Sequence, residues 1–439
     1  VNEPLTGASG DQRTVAVAGL GYVGLPLALL FAGKGFRVLG IDLDPGKLEM
    51  LHKGKSYIRD IPDEAVESAM ASGHLIPTSQ YSSVQAAEAV IICVPTPLTE
   101  YGTPELSYLT EAAVRLSKEL KKGQLIVLES STYPGTTREV LLPILAKSGL
   151  ALGTDYHVAY SPERVDPGNM DYPLERIPKI VSGATKGCLE RVCELYGEAF
   201  PRLHAVSSTN AAEMAKIVEN TYRLINISFV NELAMQCDEL GLDVWEVIDA
   251  AATKPFGYQA FYPGPGIGGH CIPVDPSYLS WKMKQHGLNA EFIGLSNAVN
   301  HRMPVYVVQR IKQALSPKSL AGSSILVYGA AYKPDIADSR ESASVHMIEL
   351  LRLEGANVYY HDPHIPVLTA GDASLKSSPL TAELLEQMDC VVIATHHSAM
   401  PLNLMMEHAS LIYDTRNATR AVSGGRAKVI RLGAGSVRA

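Results

Sequence analysis

The sequence predicts an α/β protein with two parallel sheets, each covered by helices, and a helical region between them. Three observations carry that expectation. From Thr14 the chain alternates short β-branched runs with helical stretches: TVAVAG, RVLGID, AVIICVP, LIVLES and HVAYSP. From about Ser207 to Leu240 the stretch containing NAAEMAKIVENTYRLINISFVNELAMQCDEL has neither Pro nor Gly, which spells one long helix. From about Lys318 the strand rhythm restarts in SSILVYGAAY, ANVYYHDP, DCVVIATHH and SLIYDTRN. The expected divisions are 13–206 for the first sheet, 207–305 for the helical middle and 318–425 for the second sheet. The Gly/Ser-containing segment after Ala421 has the composition of a weakly ordered end.

At 439 residues the chain exceeds one ordinary core. Its 46 acids against 38 bases leave a net charge of −8, without a basic run able to track a phosphate backbone or grip an anionic membrane. Neither nucleic acid nor membrane is an expected partner. The six cysteines show no CxxC spacing and read as reduced thiols of a cytoplasmic protein. The opening VNEPLTGASGDQ lacks the basic-then-apolar plan of a signal peptide and reads as a loose tail.

Gly19-Leu20-Gly21-Tyr22-Val23-Gly24 follows the strand TVAVA and opens an apolar helix. In that context Gly19 permits a tight turn, Gly21 lets a pyrophosphate reach the backbone, and Gly24 lets helix and strand pack closely. The helix amino terminus, with Tyr22 and Val23 in its approach, faces the phosphates. The second strand ends in Asp42, a carboxylate that accepts ribose hydroxyl protons and repels a 2′-phosphate. The expected cofactor is NAD. The bland alternative is that these glycines and Asp42 serve turns alone.

PGPGIGGHCIPVDP (263–276) sets four glycines and four prolines around His270, Cys271 and Asp275. Glycines admit close approach to a ligand and prolines remove freedom on either side, so the loop is expected to present Cys271 as a nucleophile rather than bury it. A thiolate beside a nicotinamide points to capture of an aldehyde as a thiohemiacetal, then a thioester that water releases as a carboxylate. An oxyanion forms on capture, and Lys216 and Asn220, four apart on one face of the long helix, are placed to meet it. Lys216 with its stem snorkelling to water is the alternative. Asp275 is expected to orient water or take its proton. Adjacent His270 and Cys271 rarely converge on one ion, so no metal site is expected. HDPH (361–364) and HH (396–397) follow separate strands and are able to meet at the carboxyl edge of the second sheet.

These motifs together resemble the nucleotide-sugar 6-dehydrogenases, the UDP-glucose and GDP-mannose dehydrogenase family. GLGYVGLPLA, CVPTP, ESSTYPGTT, YSPERVDPG, GPGIGGHCIPVD and YKPDIADSRES carry the likeness in order from about Thr14 to Asn417. The resemblance implies two Rossmann-like doubly wound domains joined by a long central helix at a dimer interface, hence a homodimer or higher homo-oligomer, with two NAD reduced per sugar. It implies Cys271 as nucleophile, Lys216 and Asn220 as oxyanion and sugar contacts, and Asp275 with Thr132 as organisers of the hydrolytic water. Glu163 becomes a base or water-positioning acid on a substrate-covering strand with Arg164 and Val165. Lys333, Tyr258 and Gly268 are implied at the UDP-sugar, and Thr96, Thr132 and Arg340 at NAD.

The chain departs from the UDP-glucose enzymes at His270 and Val274, where those usually carry a small residue and a lysine. With TKPFGYQAFYPGPG upstream, the variant is similar to the branch acting on N-acetylated sugars, above all UDP-N-acetylglucosamine. The alternatives are UDP-glucose, UDP-N-acetylmannosamine or UDP-N-acetylgalactosamine as substrate. A 3-hydroxyacid dehydrogenase shares the glycine motif but needs no thiol. A non-catalytic NAD-binding scaffold needs neither Cys271 nor Lys216.

Overall fold

Runs of β-branched and aliphatic residues supply the strands, and the computed structural model describes residues 12–58, 60–165, 172–269, 271–422 and 424–435. The expected amino-terminal tail, residues 166–168 of the substrate-covering motif, and His270 lie outside the described residues. The first part runs β1 (Thr14–Ala18), α1 (Gly24–Gly33), β2 (Arg37–Ile41), α2 (Pro45–His52), α3 (Asp63–Ala71), β3 (Leu75–Thr78), β4 (Ala89–Ile92), α4 (Ser107–Glu119) and β5 (Leu125–Leu128). It continues through α5 (Leu142–Leu145), β6 (His157–Tyr160), β7 (Lys179–Gly183), α6 (Lys186–Ala199) and β8 (Leu203–Ala205). The middle holds α7 (Thr209–Leu240), α8 (Val244–Ala252), α9 (Cys271–Gln285) and α10 (Glu291–Leu315). The last part is β9 (Ser324–Tyr328), α11 (Ala343–Leu353), β10 (Asn357–His361), β11 (Val367–Ala370), β12 (Ala373–Lys376), α12 (Ala382–Gln387), β13 (Cys390–Ile393), α13 (Leu402–His408), β14 (Leu411–Asp414) and β15 (Lys428–Arg431).

Contacts divide the chain into two units, Val1–Glu219 with Trp281–His286, and Asn220–Ser280 with Gly287–Ala439. In the first, eight strands lie in the order β3-β2-β1-β4-β5-β6-β7-β8. Each neighbouring pair is parallel except β6 with β7, which are antiparallel through Ala159↔Gly183 and Tyr160↔Ser182. The strand order reverses between β1 and β4, the place where doubly wound sheets bind ligands at their carboxyl edge. Helices cover both faces: α1 and α6 pack over Val15, Val17, Val38 and Val127, and α4 and α5 over Ala16, Val90, Ile126 and Val158. In the second unit a five-stranded parallel sheet has the order β10-β9-β13-β14-β15, with the β11–β12 hairpin apart from it. Both expected Rossmann-like domains and the long central helix are therefore present.

Asn210 with Glu213 three residues on has the pattern of a capping box for the long helix, but the helix starts differently. Ser208 Oγ accepts from Ala211 N at 3.2 Å, and Glu213 turns elsewhere: its carboxylate accepts from Gly135 N (2.6 Å), Thr137 N (2.8 Å) and the Thr137 hydroxyl (2.6 Å). Three donors of a buried loop outweigh one helix amide that water can reach. The helix ends on a glycine: Gly241 takes φ +70°, and Leu242 N closes on Cys237 O at 2.9 Å.

The segment after Ala421 corrects the expectation of a weakly ordered end, because Lys428–Arg431 forms β15 on the edge of the second sheet. Ile430 and Leu432 are buried in that domain's main core, and the Trp245 indole donates to Leu432 O at 2.9 Å. Gly and Ser counts hid an apolar alternation of only a few residues. Leu432→Ala should cost about 2–5 kcal/mol, measured by denaturant unfolding; a loss within ~0.5 kcal/mol would restore the loose-tail reading.

Candidate active site

In the first unit the glycine turn is built from backbone against backbone. Gly19 has φ +93°, and a Cβ there would lie 2.6 Å from Cys93 O; at Gly24 it would lie 1.8 Å from Gly19 O. At Gly21 it would meet no protein atom within 4 Å, so packing does not explain that glycine and approach of a pyrophosphate does. Val23, the N-cap of α1, gives no side-chain cap, so the helix start keeps its donors for an anion. Tyr22 is exposed beside it. Asp42 receives Leu20 N at 2.8 Å and Asp44 N at 2.9 Å, and Lys47 Nζ lies 3.1 Å from its Oδ2. A carboxylate offers about four lone-pair sites, so acceptor capacity for ribose hydroxyls remains. These residues fit a dinucleotide.

The next loops lie beyond β4 and β5. The Thr96 hydroxyl is committed to Ser131 O at 2.6 Å, tying the two loops together. Thr132 is buried, and its hydroxyl has no hydrogen-bond partner among the described residues, the condition in which a bound group supplies the missing partner. Beyond β6, Glu163 Oε1 accepts from Arg164 N (2.6 Å) and Val165 N (2.7 Å), and Arg164 pairs with Glu219 at 2.7 Å. Lys179 Nζ lies 3.0 Å from Glu163 and 2.7 Å from Glu129, and the Tyr196 hydroxyl donates to Glu129 at 2.5 Å. Burial raises Glu163, yet the Lys179 charge and the two amides outweigh it and hold the group below the usual range. For Glu129 burial wins, pushing it up to about 7. Glu163 is thus a held anion, suited to orienting water. Lys216 on α7 is 7 % exposed and makes no ion pair or hydrogen bond with a described residue.

In the second unit Cys271 corrects its expected place in a loop: it is the first residue of α9 and exposed. Pro273 sits in the first turn, where a missing N–H costs nothing, and the helix start favours negative charge on sulfur. Asn220 Nδ2 donates to the buried Asp275 at 2.6 Å, so the structure brings those two predicted residues together. Close packing by itself already requires three of the loop glycines. A Cβ at Gly264 would lie 2.3 Å from the Arg416 guanidinium, at Gly268 2.6 Å from Glu341 O, and at Gly269 2.7 Å from the Tyr332 ring. Asn231 receives Gly264 N at 2.9 Å, and Asn300 receives Ile267 N at 2.5 Å while donating back to Ile267 O at 3.2 Å. Gly269 N donates to Arg340 O at 3.1 Å, which sets the cysteine loop against the segment carrying Lys333 and Arg340. The Arg340 guanidinium pairs with Asp338 at 2.6 Å. Tyr258 lines a groove of about 390 Å³ with Tyr222, Phe229 and Phe261.

His364 and His397 do meet, with ring centroids 4.9 Å apart, and Asp335 completes a group whose donor atoms lie within 4.8 Å of one another. Both nitrogens of His397 are spent, Nδ1 on Asp335 N at 3.0 Å and Nε2 on Asp362 at 3.1 Å. The group brackets the Lys333 loop and does not fit a metal ion, which would have to displace the Asp335 amide.

Sequence reasoning missed Glu129, Lys179, Asn231, Asn300 and Arg416. Asn231 lies on the long helix, which was read for its apolar residues and for Lys216 and Asn220, while Asn300 and Lys179 lie on a helix and a strand that went unread.

A dinucleotide turn, an exposed thiol at a helix start and a second nucleotide-type domain define an NAD-dependent oxidoreductase. The sequence matches the NAD binding domain (residues 13–200), central domain (210–302) and UDP binding domain (326–421) of the UDP-glucose/GDP-mannose dehydrogenase family. The chain belongs to that family, and its cofactor is NAD. It is 36% identical to a UDP-N-acetyl-D-glucosamine 6-dehydrogenase of Pseudomonas aeruginosa over 88% of this chain and 90% of that one. It is 35% identical to a UDP-N-acetyl-D-mannosamine dehydrogenase of Methanococcus maripaludis over 89% and 87%. Among solved structures, a UDP-D-ManNAc dehydrogenase from Pyrococcus horikoshii superposes with a TM-score of 0.87 at 30% identity, covering 97% of this chain and all of that one.

Asp42→Ala should narrow the preference for NAD over NADP by ~10-fold or more, because it removes the repelling carboxylate and frees Lys47 for a 2′-phosphate. The ratio of kcat/KM for the two cofactors checks this, and an unchanged ratio would return Asp42 to a turn-forming role.

Proposed function

We propose that this nucleotide-sugar dehydrogenase oxidises the C6 hydroxymethyl of UDP-N-acetylglucosamine to the carboxylate, in the cytoplasm and as a homodimer or higher homo-oligomer. The observation that carries the chemistry is Cys271, an exposed thiol at the start of α9, on a stiff loop held by Asn231 and Asn300. NAD supplies the hydride acceptor for both oxidations, two per acid formed. The first oxidation gives a C6 aldehyde. The Cys271 sulfur adds to its carbonyl carbon, and the Lys216 ammonium stabilises the oxygen that becomes negative. Loss of hydride from C6 turns the thiohemiacetal into a thioester. Water then adds to the thioester carbonyl, the C–S bond breaks, the thiolate leaves, and the carboxylic acid gives up its proton. Asp275, aligned by Asn220, takes the proton of that water, with Glu163 and Thr132 orienting it. Lys333 and the loop glycine Gly268 meet the UDP-sugar.

The choice of an N-acetylated sugar rests on PFGYQAFYPGPGIGGHC and on relatives named for such substrates. UDP-N-acetylmannosamine, the C2 epimer, is the second reading, favoured by the names of the Pyrococcus horikoshii and Staphylococcus aureus structures. Oligomerisation is supported by exposed apolar residues along α7: Met214, Val218, Tyr222 and Phe229. No helix among the described residues is long and apolar enough to cross a membrane.

UDP-N-acetylglucosamine should exceed UDP-glucose in kcat/KM by ~10²-fold or more, since a site that hydrogen-bonds the acetamido group is left unpaired without it. A UDP-sugar panel scored by NADH absorbance decides among the sugars, and faster turnover of UDP-glucose would sink the assignment. Cys271→Ala should lose the second oxidation most severely, whereas the unaltered protein yields two NADH per acid and no free aldehyde. Normal two-step turnover by that variant would remove covalent catalysis from the reading.

A further inference from the structure

Three groups at the carboxyl edge of the first sheet are more deeply buried than any ligand contact requires. Glu129 follows β5, Glu163 follows β6, and Lys179 opens β7; they are 1 %, 6 % and 2 % exposed. The antiparallel turn of β7 is what places the lysine there. In a parallel strand the first residue lies at the opposite edge, but β7 pairs with β6 in reverse through Tyr160↔Ser182. That register, carried three residues further, sets Lys179 opposite Glu163. One ammonium is shared by two carboxylates, at 2.7 and 3.0 Å.

We propose that Lys179 is a positioning residue for Glu163, holding it as an anion with one oxygen aimed by the lysine and the other by two backbone amides, while Glu129 competes for the same ammonium. This rests on Glu163 orienting the hydrolytic water. The asymmetry of donors decides who wins. Glu163 has the Arg164 and Val165 amides besides the lysine, whereas among the described residues Glu129 has the Tyr196 hydroxyl besides it. The groups that face the ammonium are Cys93 after β4, Glu129, Glu163, Tyr196 on α6 and the Phe200 ring, 5.3 Å from Lys179 Nζ. Among the described residues no second cation pairs with either carboxylate, so removing Lys179 leaves two carboxyls that cannot both stay ionised. The directions agree: Glu163 lies low and Glu129 high.

The test uses the full chain with NAD and UDP-N-acetylglucosamine, reading the pH dependence of kcat together with the fraction of Cys271 acylated after acid quench, by intact mass. Lys179→Met should move the acid limb of kcat upward by about one pH unit or more and let the acyl-enzyme accumulate on the acid side, because hydrolysis becomes slow. Lys179→Arg should stay near the unaltered profile. Adding Glu129→Gln to Lys179→Met should bring the limb part of the way back, since it removes the competing charge; a purely structural lysine predicts further loss. A folded Lys179→Met protein with an unmoved limb overturns the proposal. Should Lys179→Met fail to fold, Glu129→Gln alone decides: the limb must move downward, and an unmoved limb overturns it. Glu163→Gln separates the two layers. If it leaves kcat and acylation unchanged, the water-orienting reading falls and this proposal with it. If it slows hydrolysis while Lys179→Met does not, only the link to Lys179 falls.

Discussion

Backbone meets backbone at the carboxyl edge of the first sheet with no room for a side chain between. Gly24 approaches Gly19 O, and Gly19 approaches Cys93 O, so the turn after β1, the start of α1 and the end of β4 are locked as one piece. The neighbouring side chains are fixed to that piece: Leu20 N reaches Asp42, and Tyr57 reaches Leu20 O. The second sheet repeats the device with different residues. Gly329 follows β9 with φ +91°, and a Cβ there would lie 2.5 Å from Thr395 Cβ. Asp362 follows the neighbouring strand and gathers the amides of Ala330 and Ala331, as Asp42 gathers Leu20. Asp362 spends all its capacity inside the fold, because it also accepts from His364 N, Ile365 N and His397. Burial opposes its charge, but the His397 ring and those amides hold it at about 2. One architecture thus yields a carboxylate still open to a ribose and a carboxylate given over to structure.

The central strands were legible because a buried parallel strand is a short run of aliphatic, mostly β-branched residues, as β1, β4, β5, β9 and β13 are. The strands that escaped are edge or reversed strands. β3 is four residues with a proline (LIPT), β8 is three residues beginning a loop (LHA), and β15 (KVIR) sits among glycines and serines. In β7 the lysine at its head reads as the end of a loop, because nothing local says that two carboxylates await it. Register between strands distant in sequence is not written in either one, and so the partner of Glu163 was invisible while Glu163 itself was not.

The cysteine loop shows a different limit. Its composition announced a constrained thiol, and the thiol is constrained, but the cause differs. The glycines let the loop lie against Tyr332, Glu341 and Arg416, and the asparagines on α7 and α10 pin its amides. Two prolines after the cysteine read as loop, although proline is tolerated in a first helical turn. With Pro276 interrupting the ladder one turn further on, Asp275 projects from a helix whose bonding is already relaxed, and Asn220 takes hold of it.

Two buried lysines in the first unit meet opposite conditions, and the contrast separates structure from chemistry. Lys179 is saturated by two carboxylates and an aromatic ring. Lys216 has no such partner among the described residues, though nearly as buried. A buried ion pair adds little stability over apolar packing of the same volume, and a buried ammonium without a counter-charge adds less than nothing. Neither arrangement is explained by folding. The saturated lysine acts on a neighbour by keeping an acid ionised. In the proposed reaction the unsaturated one would act on a charge that exists only while an aldehyde is being captured. Stability is surrendered where negative charge must be either kept or briefly made.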